Sequence, residues 1–132
     1  MRARIIVGVV LIIAFFGAAT FASRAAERAG QRQWTIVNFL DPVEVQGQFL
    51  MGPVMIVHDD EKMTHGQACT TFYRFDTTKG PQEAIVSFHC RPVLRPIVEE
   101  TTFTTARSDS GCRRLIEYQI AGDAEAHGVP TK

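Results

Sequence analysis

Cys69-Thr70-Thr71-Phe72-Tyr73-Arg74-Phe75 and Ala84-Ile85-Val86-Ser87-Phe88-His89-Cys90 are two runs rich in aromatic and β-branched side chains. Between them lies Asp76 to Glu83, a stretch of Thr, Lys, Gly and Pro. Apolar runs bounded by turn residues read as the arms of a β-hairpin. Symmetric pairing about the loop sets Phe75 opposite Ala84, Tyr73 opposite Val86, Thr71 opposite Phe88 and Cys69 opposite Cys90. The strand period of two then aligns an apolar face and superposes the two cysteines. A slip of one residue would destroy both matches. Cross-strand neighbours stand about 4.5–5.5 Å apart, so this register predicts a Cys69–Cys90 disulfide. Closing a loop of about twenty residues, the bridge would stabilise the fold by roughly 3 kcal/mol. Cys112 is left as a small apolar residue near a turn.

The same texture extends in both directions. Trp34–Phe39, Val43–Phe49 (broken by Gly47), Pro53–His58, Thr101–Thr105 and Arg114–Ile120 read as further strands. Asp41-Pro42, Gly52-Pro53, Lys79-Gly80-Pro81 and Asp109-Ser110-Gly111 punctuate them. Closely spaced turns of this chemistry predict a mainly β domain, a small antiparallel sandwich or barrel. Asp59 to Gln67 has room for one helical turn, and no stretch after Ser23 sustains a helical period.

The N-terminus differs. Arg2 and Arg4 precede an uncharged apolar run from Ile5 to Ala22, and Arg24, Glu27, Arg28 and Arg32 follow it. That pattern predicts an apolar helix used for export. Eighteen helical residues reach about 27 Å, near the lower limit for crossing a bilayer. Residues 1–22 therefore read as a signal-anchor or as a cleaved signal peptide, with weak small-x-small sites at Thr20-Phe21-Ala22 and Ser23-Arg24-Ala25. Basic residues ahead of the run favour a domain outside the cytoplasm. Residues 23–33 read as a stalk, 34–121 as the β domain and 122–132 as a C-terminal tail.

The 132 residues carry 14 basic and 14 acidic groups, so no electrostatic footprint for nucleic acid exists and none is expected as a partner. Without residues 1–22 the remaining 110 hold 12 basic and 14 acidic groups, enough chain for one modest core.

Asp41-Pro42-Val43-Glu44-Val45-x-Gly47-x-x-Leu50-x-Gly52 resembles the opening of short exported bacterial β-domain proteins of unassigned function. His58–Met63, Cys69–Tyr73 and Ser87–Cys90 are similar to members of that set, so the resemblance spans roughly residues 35–90. It implies a β fold and no particular chemistry.

A second reading of the cysteines makes them metal ligands. His58, His65, Cys69, His89 and Cys90 cluster in sequence, with Met51, Met55 and Met63 nearby. Thiolate, thioether and imidazole together suit copper(I), and thiolate with imidazole suits zinc(II). No C-x-x-C or H-x-x-x-H spacing supports this, and alternation sends His89 and Cys90 to opposite faces of a strand. Asp123, Glu125 and His127 would share one side of an extended tail, a carboxylate–histidine arrangement; the plainer reading is a solvated tail.

No nucleophile elbow, zincin helix, P-loop or dinucleotide fingerprint is present, so no enzyme and no cofactor are expected. The leading expectation is a membrane-tethered, exported accessory domain at a bacterial inner membrane, facing the periplasm. It would be held there by residues 5–22 and would bind other envelope proteins through His58, Asp60 and His65, in the long connection His58–Cys69. The alternative is a periplasmic copper- or zinc-binding protein, secreted after cleavage.

Overall fold

The structure, a computed structural model, describes residues 31–132; the apolar segment expected over residues 5–22 and nearly all of the stalk lie outside the described residues. The chain from Arg32 onward is mainly β. Its elements are β1 (Arg32–Val45), β2 (Gln48–Asp59), α1 (Asp60–Thr64), β3 (Thr70–Asp76), β4 (Gly80–Phe88), β5 (Arg91–Leu94), β6 (Thr102–Arg107), β7 (Arg113–Gln119) and β8 (Glu125–Gly128). Among the described residues no helix is long and apolar enough to cross a membrane.

Two of the expected strands are cut differently, for a turn-chemistry reason. Val43–Phe49 does not run through Gly47. Gln46 and Gly47 both take positive φ (52° and 78°), the backbone of a two-residue hairpin turn whose twist matches its strands. Val45 therefore pairs with Gln48, and the ladder zips back to Arg32 opposite Asp59. The register breaks between Phe39 and Val43, at Asp41-Pro42, where proline lacks a donor. Thus β1 takes in the predicted Trp34–Phe39 strand and the first part of Val43–Phe49, and starts at Arg32 rather than Trp34.

The strands form one sheet in the order β4-β3-β2-β1-β7-β8-β5, with β6 paired to β7. All pairings are antiparallel except a short parallel contact of β1 with β7 at Val43–Arg113 and Glu44–Arg114, which the antiparallel expectation missed. Residues 122–132 are not a free tail. β8 is hydrogen-bonded between β7 and β5, with Ala126 and His127 buried.

The sheet folds over, so that its β2–β4 end faces β7 and β8. Phe72 of β3 meets Tyr118 of β7 edge-on at 6.1 Å and Phe88 of β4 at 5.9 Å. Thr70 Oγ1 and Tyr118 Oη share a 2.6 Å hydrogen bond across the same gap. Around them Val45, Leu50, Val54, Ile56 and Leu115 complete the core. Burial of such side chains is the main stabilising contribution, at about 1.5–3 kcal/mol each.

The β3–β4 hairpin exists, but its register is off the symmetric expectation by three residues near the turn, where Phe75 faces Pro81, and by one at the far end. The loop is only Thr77-Thr78-Lys79, because the Asp76 carboxylate accepts hydrogen bonds from Thr78 N, Thr78 Oγ1 and Lys79 N, and Gly80 takes φ 85°. Asp76 faces Gly80 there. Two irregularities, between Phe72 and Tyr73 and between Tyr73 and Phe75, then shift the pairing stepwise. At the far end Phe72 faces Val86 and Thr70 faces Phe88. The face of β4 follows expectation only toward its end, with Phe88 buried and Val86 partly so, while Ala84 is exposed. That of β3 is inverted: Thr70 and Phe72 are buried, while Thr71 and Tyr73 point outward and are partly exposed.

Candidate metal centre

Cys69 lies just before β3 and Cys90 just after β4, outside the ladder, so strand alternation governs neither. Both are buried, and their sulfurs approach to 2.9 Å without a bond between them. The sequence-based pairing of these residues is thus realised as contact, by chain ends that turn inward rather than by the predicted register. Cys90 N–H donates to Cys69 Sγ at 3.1 Å, fixing the two segments together.

His58 closes the group. It sits on β2 opposite Thr70, and its Nε2 stands 3.3 Å from Cys90 Sγ. His58, Cys69 and Cys90 each offer one ligand atom, all within 4.8 Å of one another, and all three residues are buried. Beside His58, His127 of β8 brings Nδ1 to 3.7 Å of the same sulfur. Met63 of α1 brings its thioether sulfur to 3.8 Å. Tetrahedral ligands at about 2.0–2.3 Å from a metal stand roughly 3.3–3.8 Å from each other; the distances of His58, His127 and Met63 from Cys90 match such edges, whereas the 2.9 Å between the two sulfurs is shorter.

The imidazoles are backed by carboxylates. Asp60 Oδ1 lies 3.2 Å from His58 Nδ1, and Asp123 Oδ2 lies 3.6 Å from His127 Nε2. Both carboxylates sit off the N–H axis, and these two buried nitrogens have no aligned hydrogen-bond partner. Each ring therefore turns one nitrogen to an acid and the other to Cys90, the arrangement by which metal-binding histidines are oriented.

Electrostatics follow from burial. Desolvation lowers the pKa of His58, opposed by Asp60, Asp123 and Asp59. It lowers His127 to about 4, helped by the neighbouring His58. Both rings are neutral at pH 7, with a lone pair to offer. Burial first, then Cys69, pushes the Cys90 thiol well above its ordinary range. An activated nucleophile needs the opposite shift, whereas a bound cation would remove that proton. Glu125 is raised by its own burial and then by Asp123 and Asp60, so three acids surround the centre.

The other sequence candidates fall elsewhere. His65 caps α1: its Nδ1–H donates to Glu61 O at 2.7 Å, and the side chain is exposed. It shares no surface with buried His58, and Asp60 is turned toward the His58 ring rather than displayed. His89 is exposed and touches Cys69 from outside, Nδ1 to Sγ 3.7 Å. Cys112 is free and half-buried in the β6–β7 turn. Sequence reasoning left His127 out of the metal set, since its position depends on β8 joining the sheet. The alternation of Asp123, Glu125 and His127 was the available signal, and all three do converge. Comparison of the chain with protein-family models, with curated proteins and with solved structures gives no match.

Proposed function

We propose that this domain binds a single soft transition-metal ion, copper(I) or zinc(II), through His58 Nε2, Cys69 Sγ and Cys90 Sγ, with His127 Nδ1 as the fourth donor. One observation carries the reading: two buried imidazoles each place one nitrogen near a carboxylate and the other on the same cysteine sulfur. A core packed for stability alone has no need of two histidines with unsatisfied nitrogens beside two thiols. The folded-over sheet is a sandwich-like frame whose halves contribute His58 from β2 and His127 from β8, so ion binding would tie them together. The high-pKa thiol argues for a binding rather than a catalytic role.

The apolar run Ile5–Ala22 supports placing the domain at a bacterial inner membrane, in the periplasm, as an accessory to other envelope proteins. The exposed Trp34 and Ile36 on the outer face of β1 offer a surface for such contacts. Membrane fractionation and N-terminal sequencing test the tether, and a mature start at Ser23 or Ala26 rejects it. For the metal, the reduced protein is purified without chelator and titrated anaerobically with zinc(II) and with copper(I). One ion per chain is expected for at least one metal, lost in Cys90→Ser. Absence of stoichiometric binding of either metal overturns the proposal.

A further inference from the structure

The four donors of this centre are almost completely shielded: His58 and His127 are 0 % exposed, Cys69 and Cys90 2 %. An ion arriving on a carrier cannot place the carrier's ligands inside such a site. Among the described residues two further donors touch the sulfurs, the partly buried Met63 on Cys90 and the exposed His89 on Cys69. A thioether is a soft ligand with little use for zinc(II), which leaves His89 as the outward-facing donor for either metal.

His89 is well placed for that task. It lies just past the end of β4 and is exposed, while its neighbours Phe88 and Cys90 are buried. Its Nδ1 nevertheless reaches within 3.7 Å of Cys69 Sγ. Cys69 thus has one side toward the exposed imidazole and the other toward Cys90, at 2.9 Å.

Resting on the metal reading above, we propose that His89 and Cys69 form the port of the centre. An incoming ion is first held by His89 Nδ1 and Cys69 Sγ, and then passes to His58, Cys69, Cys90 and His127, with His89 released. No electron is transferred. Carrier ligands leave one at a time as protein donors replace them, and the thiol protons go to solvent. His89 is a transient ligand during transfer and contributes little to the final complex.

Loading and release rates test this against equilibrium affinity. Zinc(II) is presented to the reduced full chain as its complex with a chromophoric pyridylazo chelator, and transfer is followed by absorbance. His89→Ala is expected to slow loading about tenfold or more and to slow release to excess chelator by the same factor, while affinity stays within about threefold. His65→Ala, an exposed histidine that touches neither sulfur, is expected to load at the wild-type rate. An unchanged rate in His89→Ala overturns the port. So does a tenfold loss of affinity, which would make His89 a permanent ligand, or equal slowing in His65→Ala. A wild-type chain that takes up no metal instead removes the underlying reading.

Discussion

The rings of His58 and His127 stack with centroids 3.9 Å apart and planes tilted by 31°, although 69 positions separate them in the chain. Burial disfavours a charge on either ring, and two imidazolium ions this close would repel strongly, so the stack favours the neutral forms. The stack is a point where proton concentration acts on the fold.

Stability is accordingly expected to fall on acidification. His127 has its pKa lowered to about 4 in the native state, against 6.5 when unfolded, so between these values the unfolded chain binds more protons. The stabilising effect of keeping it neutral is complete above pH 6.5 and fades as pH drops toward 4. It amounts to at most about 3 kcal/mol, and His58, lowered by the same burial, acts in the same direction. Glu125, whose pKa is raised, opposes this to a small degree. Urea titrations of the metal-free protein at pH 7.5 and 4.5 check the window. Equal midpoints at the two pH values would contradict it, as would an undiminished difference in His127→Gln.

The carboxylates behind the rings are expected to matter to metal affinity without touching the ion. Asp60→Asn and Asp123→Asn should each weaken binding about 10–100-fold, as is usual for groups that orient a ligand histidine. Competition titration against a chelator of known affinity measures this. Wild-type affinity in both variants would mean that neither acid orients its ring.

Much of this fold was legible in the sequence because it is written in turns and short apolar runs. The hairpin over Thr70–Phe88 and the helical turn inside Asp59–Gln67 follow from local chemistry. Its register did not, because symmetric pairing presumes a regular ladder, whereas the Asp76 turn is tight and two irregularities follow it. The contact of Cys69 with Cys90 was reached for the wrong reason: both lie just past the strand ends, where the chain turns inward. His127 shows the other limit. Nothing local to Glu125–Gly128 says that it will be hydrogen-bonded between β7 and β5, so the donor opposite His58 depends on long-range pairing.

Across the fold-over, Thr70 Oγ1 and Tyr118 Oη satisfy each other in a fully buried position. Tyr118→Phe strands the Thr70 hydroxyl and is expected to cost about 1–3 kcal/mol in urea unfolding. Adding Thr70→Val removes the orphan, so the double variant should recover part of that loss. Strict additivity of the two single losses would show that the pair is not coupled.

Metal binding and oxidation of the cysteine pair are expected to exclude each other. With sulfurs 2.9 Å apart and unbonded, Cys69 and Cys90 need little movement to close a disulfide, which an exported domain would meet conditions to form. Closure transfers two electrons and releases two protons, and glutathione disulfide can accept the electrons, leaving as two reduced glutathione molecules. A sulfur in a disulfide is no longer a thiolate donor, so the oxidised centre keeps only imidazoles and loses its hold on the ion. Conversely, a bound ion keeps both sulfurs coordinated and blocks attack. The metal-free reduced chain is incubated with glutathione disulfide and its thiols are then mapped by alkylation and peptide mass. The expected products join Cys69 to Cys90 and leave Cys112 alkylatable, while the metal-loaded chain keeps all three cysteines reduced over the same period. Oxidation of the loaded and metal-free chains at the same rate would show that no ion sits between these sulfurs.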